Sequence, residues 1–257
     1  MSTNDAVQNL IKLNYKFQKK DIRDFKAKAP NTANAKVINS FTLRSKVRFI
    51  YDQKSIGSCV SNAFAQYINM CTTNNVKISR LLHYYCGRAI EGGSSLDDSG
   101  LDIRQAAKII QKYGACNETT WPYDVSKFNQ LPTLNVFKSS LYFRKYTYSF
   151  VDQKLDRLIF VLHNQKKPIL FGIYVYDSFL TDKVASSGIV PMPNLDTEKL
   201  LGGHCIVMIG FDNTKSQFIC VNSWGSSWGS NGFFYLPYDY VLNPELAADF
   251  CCLDFIY

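Results

Sequence analysis

Between residues 58 and 72 the apolar positions are Val60, Ala63, Phe64, Tyr67, Ile68 and Cys71, whose spacing traces one face of a buried α-helix. The stretch just before it, YDQKSIGS, is a polar turn containing Gly57, and Ser58 is a good N-cap residue. Cys59 therefore falls in the first turn of a core helix. The same periodicity predicts a second helix over 103–113, stopped by Gly114, and a third over 152–165. After Pro168 the pattern changes. Residues 169–176, 204–211, 218–222, 232–236 and 250–256 are short, aromatic and β-branched, with Gly, Asn and Ser turns between them, and read as strands of a twisted sheet or small barrel. Residues 1–28 read as weakly helical, and 28–39, rich in Ala and Asn with one Pro, as a linker. A helical first half followed by a β-rich second half implies an α+β protein with a cleft between two lobes. The expected organisation is a separate segment at 1–40, then one body at 41–257 with a helical lobe over 50–135 and a β-rich lobe over 136–257.

Charge changes this picture at one end only. The formal net charge is +8, and residues 1–48 hold 11 Lys/Arg against 3 Asp/Glu, while the remaining 209 residues balance at 18 and 18. A nucleic-acid binder needs a basic face on its folded domain; this body is neutral, so the basic segment reads as a docking or targeting arm. The apolar run at 168–176 is about half of what a bilayer span needs, and residues 1–10 lack the basic start and apolar stretch of a secretory signal. The expectation is a chain without a membrane span, acting in a reducing, intracellular setting.

Eight cysteines form no CxxC pair and no Cys/His cluster with zinc-site spacing. No metal is expected, and with no phosphate loop or GxGxxG no nucleotide or other cofactor is expected either. The even cysteine count permits disulfides, but the reduced reading is favoured, with Cys205, Cys220 and Cys252 as small core residues. A cysteine hydrolase needs a thiolate, a base and donors for an oxyanion. A thiol in the first turn of a helix feels the positive end of the macrodipole, which lowers its pKa, and Cys59 has that placement. Of the three histidines, His83 lies amid aromatics and His163 near two lysines; His204 follows Gly202-Gly203 and opens a strand, where a Gly-rich turn leaves room for substrate.

DQKSIGSC, GGHCIVMIGFD and VNSWGSSWGSNGFFYLP together resemble the three signature blocks of the papain/cathepsin family of cysteine peptidases. His204 and Asn222 lie 145 and 163 residues after Cys59, and NSWGxxWGxxG is matched from Asn222 to Gly232. The resemblance spans roughly 45–257 and implies the papain-like two-lobed α+β fold. It implies that Cys59 attacks the scissile carbonyl and gives a thioester that water hydrolyses. His204 would exchange the protons, with its ring oriented by Asn222 under Trp224, and the Gln53 amide and the Cys59 N–H would form the oxyanion hole. Gly57, Ser58 and Gly203 would line the cleft, and Asp98-Ser99-Gly100 stands where the family has a substrate-binding strand. Asp249 lies near the expected floor of the main specificity pocket, where a carboxylate would admit a basic side chain at P2, the second residue before the scissile bond; the alternative is a solvated Asp before a strand.

Ile56 and Val60 depart from the family's Cys-Gly-Ser-Cys-Trp, and the first departure removes a disulfide partner. The pattern is similar to a disulfide-poor microbial and viral branch that includes cathepsin B-like proteins of large DNA viruses, which makes a virion an alternative location. No His-His pair is present, so endopeptidase rather than dipeptide-trimming activity is implied. The partners implied are a peptide or protein substrate and the chain's own N-terminal segment, either as a short autoinhibitory pro-segment of a zymogen or as a permanent arm. The competing readings are a catalytically silent homologue that binds peptides or builds a virion, and a Cys-His-Asn acyltransferase.

Overall fold

A computed structural model describes residues 11–27, 38–72, 76–90, 97–140 and 146–255. Among the described residues seven strands form one antiparallel sheet: β1 (Ser40–Thr42), β2 (Tyr146–Phe150), β3 (Ile169–Tyr176), β4 (Leu200–Asp212), β5 (Gln217–Val221), β6 (Phe233–Pro237) and β7 (Ala247–Phe255). Their order is β2-β7-β3-β4-β5-β6, with β1 paired to β4. β3 and β4 are nearly all buried and do not alternate between wet and dry residues, because both faces of the central sheet are covered. Successive residues of β4 serve different cores. Cys205, Val207 and Ile209 pack with the Cys59 helix, whereas Ile206, Met208 and Phe211 pack with Phe171, Phe218 and Phe234 on the other face. This two-sided core, with helices packed on both faces of an antiparallel sheet, is the α+β architecture the pattern implied.

The helix Cys59–Cys71 is buried almost all round, which explains its position as the axis of the first core. Ser58 does occupy the N-cap position but makes no side-chain cap bond; its Oγ lies 2.6 Å from the Tyr123 hydroxyl and accepts from Asn62 Nδ2 instead. The helix Ile103–Tyr113 has the predicted bounds, capped by Asp102, which accepts from the Gln105 N–H at 2.8 Å, and stopped by Gly114 at φ +74°. The region 152–165 turns helical only from Leu155, as Leu155–Ile159 followed by a π-helical turn Phe160–Asn164. Gln153 is engaged elsewhere, donating from Nε2 to the carbonyls of Val241 and Ala247. The helix Arg80–Ile90 was not expected from the pattern.

The expectation of weak helicity at the N-terminus is corrected for 11–27, which contain no helix. Their backbone groups pair with the body instead. Tyr15 N–H donates to Gly203 O at 2.9 Å, Lys16 N–H to Leu101 O at 3.1 Å, and Ala27 N–H to Phe150 O at 2.9 Å. An extended chain whose donors have these partners gains nothing by coiling. The linker expected at 28–39 lies mostly outside the described residues. Among the described residues no helix is long and apolar enough to cross a membrane.

Candidate active site

The site forms where the N-terminal end of the Cys59 helix meets β4 and the turn after β5. Asn222, one residue past β5, has its backbone N–H bound to Gly232 O at 3.0 Å, which fixes its position. Its Oδ1 lies 2.8 Å from His204 Nε2 and also accepts the Ser223 N–H at 2.8 Å. Since Asn Oδ1 can only accept, Nε2 carries the proton, and the neutral ring has Nδ1 free as a base. His204 Nδ1 is buried without a hydrogen-bond partner among the described residues. The Trp224 indole stacks on the imidazole, with centroids 4.8 Å apart and planes 27° apart, and is itself wedged edge-on against Phe179 and Trp228. This stack keeps water from the Asn222–His204 bond, which strengthens it.

Cys59 starts its helix, and its thiol is fully buried in the same core as Cys205. Burial pushes the thiol up to about 11, against backbone N–H groups, chiefly that of Cys205, that pull the other way. Burial likewise pushes His204 down to about 4, opposed by the bond to Asn222. Burial thus disfavours the charged form of each group in this covered state.

Gln53 completes the group. Its amide is oriented by the two acceptor-only carbonyls that Nε2 faces: the backbone N–H donates to Ser223 O at 2.8 Å, and Oε1, on the other side, accepts from Ser223 Oγ at 2.8 Å. Nε2 then points at two carbonyls, Ile56 O at 3.2 Å and Lys12 O at 3.0 Å. The second belongs to the N-terminal segment: a peptide carbonyl sits on the donor that an oxyanion would use. A scaffold behind this turn was not legible in the sequence. Tyr123 donates to Gln53 O at 2.8 Å, and buried Arg80 holds Asp52 O at 3.1 Å and Asn62 Oδ1 at 2.8 Å while paired with Glu118. Only the place of Ser223 inside the NSWG block could have signalled it.

The residues read as cleft-lining are reached by the same segment. Gly100, at φ +73°, lies so close to it that a Cβ would stand 1.7 Å from Asn14 O. Gly57 packs against the Asn14 side chain, and Gly203 pairs with Asn14 and Tyr15. Asp98 is a framework group as well: its Oδ1 accepts from the Gly57 N–H at 2.9 Å, and its Oδ2 takes the Lys12 ammonium at 2.9 Å. Ser99 is exposed, and Ser58 turns its hydroxyl inward, away from the cleft. Asp249 is no solvated loop residue; its Oδ2 accepts from the Tyr15 hydroxyl at 2.6 Å and the Gln18 N–H at 3.1 Å. Among the described residues no cluster of His, Cys, Asp or Glu is arranged to hold a metal ion.

A fold with this sheet, this helix and this Cys–His–Asn–Gln arrangement defines a cysteine peptidase class, and residues 37–247 match the model of the papain family cysteine protease. The chain belongs to the papain family. It is 37% identical, over 253 aligned positions, to a peptidase C1-like protein of Acanthamoeba polyphaga mimivirus, covering 91% of this chain and 80% of that one. Among solved structures, xylellain, a cysteine protease from Xylella fastidiosa, superposes with a TM-score of 0.87 at 31% identity, over 95% of this chain and 96% of that one. The proCathepsin B S9 of Trypanosoma congolense shares the fold at a TM-score of 0.70 and 17% identity, over 100% of this chain and 90% of that one. The expected family and fold are thereby established.

Proposed function

We propose that the chain is a cysteine endopeptidase made as a zymogen, with residues 1–40 as a short pro-segment whose described stretch, 11–27, pairs with the residues that line the cleft. The observation that carries this reading is the Gln53 Nε2–Lys12 O bond of 3.0 Å: a peptide carbonyl rests on the oxyanion donor beside Cys59. With the segment gone, water reaches the pair, the thiol loses its proton to His204 Nδ1, and the thiolate attacks the carbonyl of a bound peptide. The Gln53 amide and the Cys59 N–H hold the oxyanion. The protonated His204 then gives its proton to the leaving amine, Asn222 keeping Nε2–H engaged throughout, and a water activated by the same Nδ1 hydrolyses the thioester. Gly203 and Leu101 offer backbone acceptors and Gly57 and Gly100 the room for an extended substrate. In the same reading the body, 41–257, carries a helical lobe over 50–135 and a β-rich lobe over 136–257 with the cleft between them. The eight free thiols suit an intracellular, reducing location or a virion.

The test is hydrolysis of fluorogenic dipeptide amides under reducing conditions by the full chain, by the chain nicked within 28–39, and by Cys59→Ala. Activity that rises on nicking and vanishes in Cys59→Ala is the expected result. Equal activity before and after nicking would reject the pro-segment. No turnover in any form, even with longer peptides, would reject the peptidase and leave a peptide-binding homologue.

A further inference from the structure

The segment in the cleft is an extended peptide with side chains, and one of those side chains is swallowed. Tyr15 is 5% exposed. Its ring lies so close over Gly172 that a Cβ there would stand 2.0 Å from Cε1, so no larger residue at 172 leaves room for it. Its backbone N–H is held by Gly203 O. Phe17 closes the outer side, edge-on to Tyr15 at 4.8 Å and stacked on Tyr174 at 3.8 Å. At the far end, the phenol donates to Asp249 Oδ2 at 2.6 Å.

Two features make this more than a chance contact. Asp249 stands at φ +64°, a left-handed backbone that L-residues seldom adopt, and this irregularity within β7, where its register against β3 shifts, brings the carboxylate to bear on the ring's end. Two donors also converge on the same Oδ2, the phenol and the Gln18 N–H. The pocket the body offers is thus a slot opened by the missing side chain of Gly172, with one acceptor placed where a para-hydroxyl ends.

We propose that this pocket reads tyrosine in substrates, with Asp249 accepting the phenol hydroxyl as it accepts that of Tyr15. A phenylalanine would fill the slot and leave the carboxylate without that donor, and an aliphatic side chain would do the same with less contact. The sequence suggested that an acidic floor would take a basic side chain. The two donors that reach Asp249 Oδ2 are both neutral, a phenol and a backbone N–H, and burial of the carboxyl raises its pKa. The inference rests on the peptidase reading for its substrate; the bond itself is testable without catalysis.

Two measurements decide it. In the full-length Cys59→Ala chain, hydrogen exchange at the Tyr15 and Lys16 amides reports how tightly the segment is held. Tyr15→Phe is expected to speed that exchange about ten- to hundred-fold, the range for a bond to an ionisable acceptor. Asp249→Gly removes the acceptor and suits the positive φ; in that background Tyr15→Phe is expected to add nothing. No effect of Tyr15→Phe, or an equal effect with and without Asp249, overturns the proposal. The second measurement uses the full chain nicked within 28–39 and peptide amides differing only at the second residue before the scissile bond. The expected kcat/KM favours Tyr over Phe by about ten- to hundred-fold, falling to near one in Asp249→Gly. A wild-type ratio near one, or Arg preferred to Tyr, overturns it. If no peptide is cleaved, the peptidase reading fails, and the exchange cycle decides the pocket alone.

Discussion

Acid should loosen the segment, and His204 is the group through which it does so. In the covered state burial holds the imidazole down to about 4; exposed to water it returns to about 6.5. A group whose pKa is depressed in the closed state favours closure at pH above its open-state value, and that contribution disappears as pH falls towards 4. Between pH 7.5 and 4.5 the closed-to-open equilibrium should shift by roughly 70-fold, about 2.5 kcal/mol, with one proton taken up on opening. Asp249 works in the opposite sense, because its raised pKa favours closure at low pH. The His204 contribution is therefore read as a difference. In the Cys59→Ala chain, which removes both chemistry and the thiol's own titration, exchange protection at Tyr15 and Lys16 is measured across this range with and without His204→Gln. Protection should fall much more steeply when His204 is present. Parallel pH profiles in the two proteins would refute the reasoning, since they would mean that the imidazole does not change its environment when the segment moves.

Three further outcomes follow from the geometry. Gln53→Ala should lower kcat/KM of the nicked chain about 10²–10³-fold while alkylation of Cys59 by iodoacetamide stays within a few-fold; a parallel loss of both would point to collapse of the turn rather than loss of a donor. Gly100→Ala places a methyl 1.7 Å from Asn14 O at a φ of +73°, so Cys59 alkylation in the full chain should quicken at least about tenfold. An unchanged rate would mean the segment does not lie there in solution. Trp224→Ala removes a nearly buried indole from the Phe179–Trp228 cluster and should cost about 3–5 kcal/mol in urea unfolding; a loss under 1 kcal/mol would show that the cluster repacks without it.

The parts of this structure that could be read in advance are those whose cause is local. The Cys59 helix carries its own periodicity, the β3–β6 strands are aromatic and β-branched runs between turn residues, and the candidate catalytic residues sit in blocks of fixed spacing. The helix Arg80–Ile90 was hidden because it is buried all round, with Arg80 and Arg88 inside; two arginines interrupt the apolar stripe that would have announced it. Ser58 has the chemistry of an N-cap, but Tyr123, brought by the fold, claims its oxygen. The path of 11–27 has no local cause at all, since its acceptors are Gly203, Leu101 and Phe150. The Tyr15–Asp249 bond spans 234 positions, and nothing near Asp249 could distinguish a pocket floor from a solvated loop.

All eight cysteines are free thiols, and seven of them are buried, with Cys71 the partly accessible one. Reducing agents, which a nucleophilic thiol requires, therefore remove no cross-link from the fold. A native thiol titration also becomes a stopwatch. Cys71 should react first, and the next equivalent consumed, that of Cys59, marks the moment the segment lifts, before any peptide has been cut.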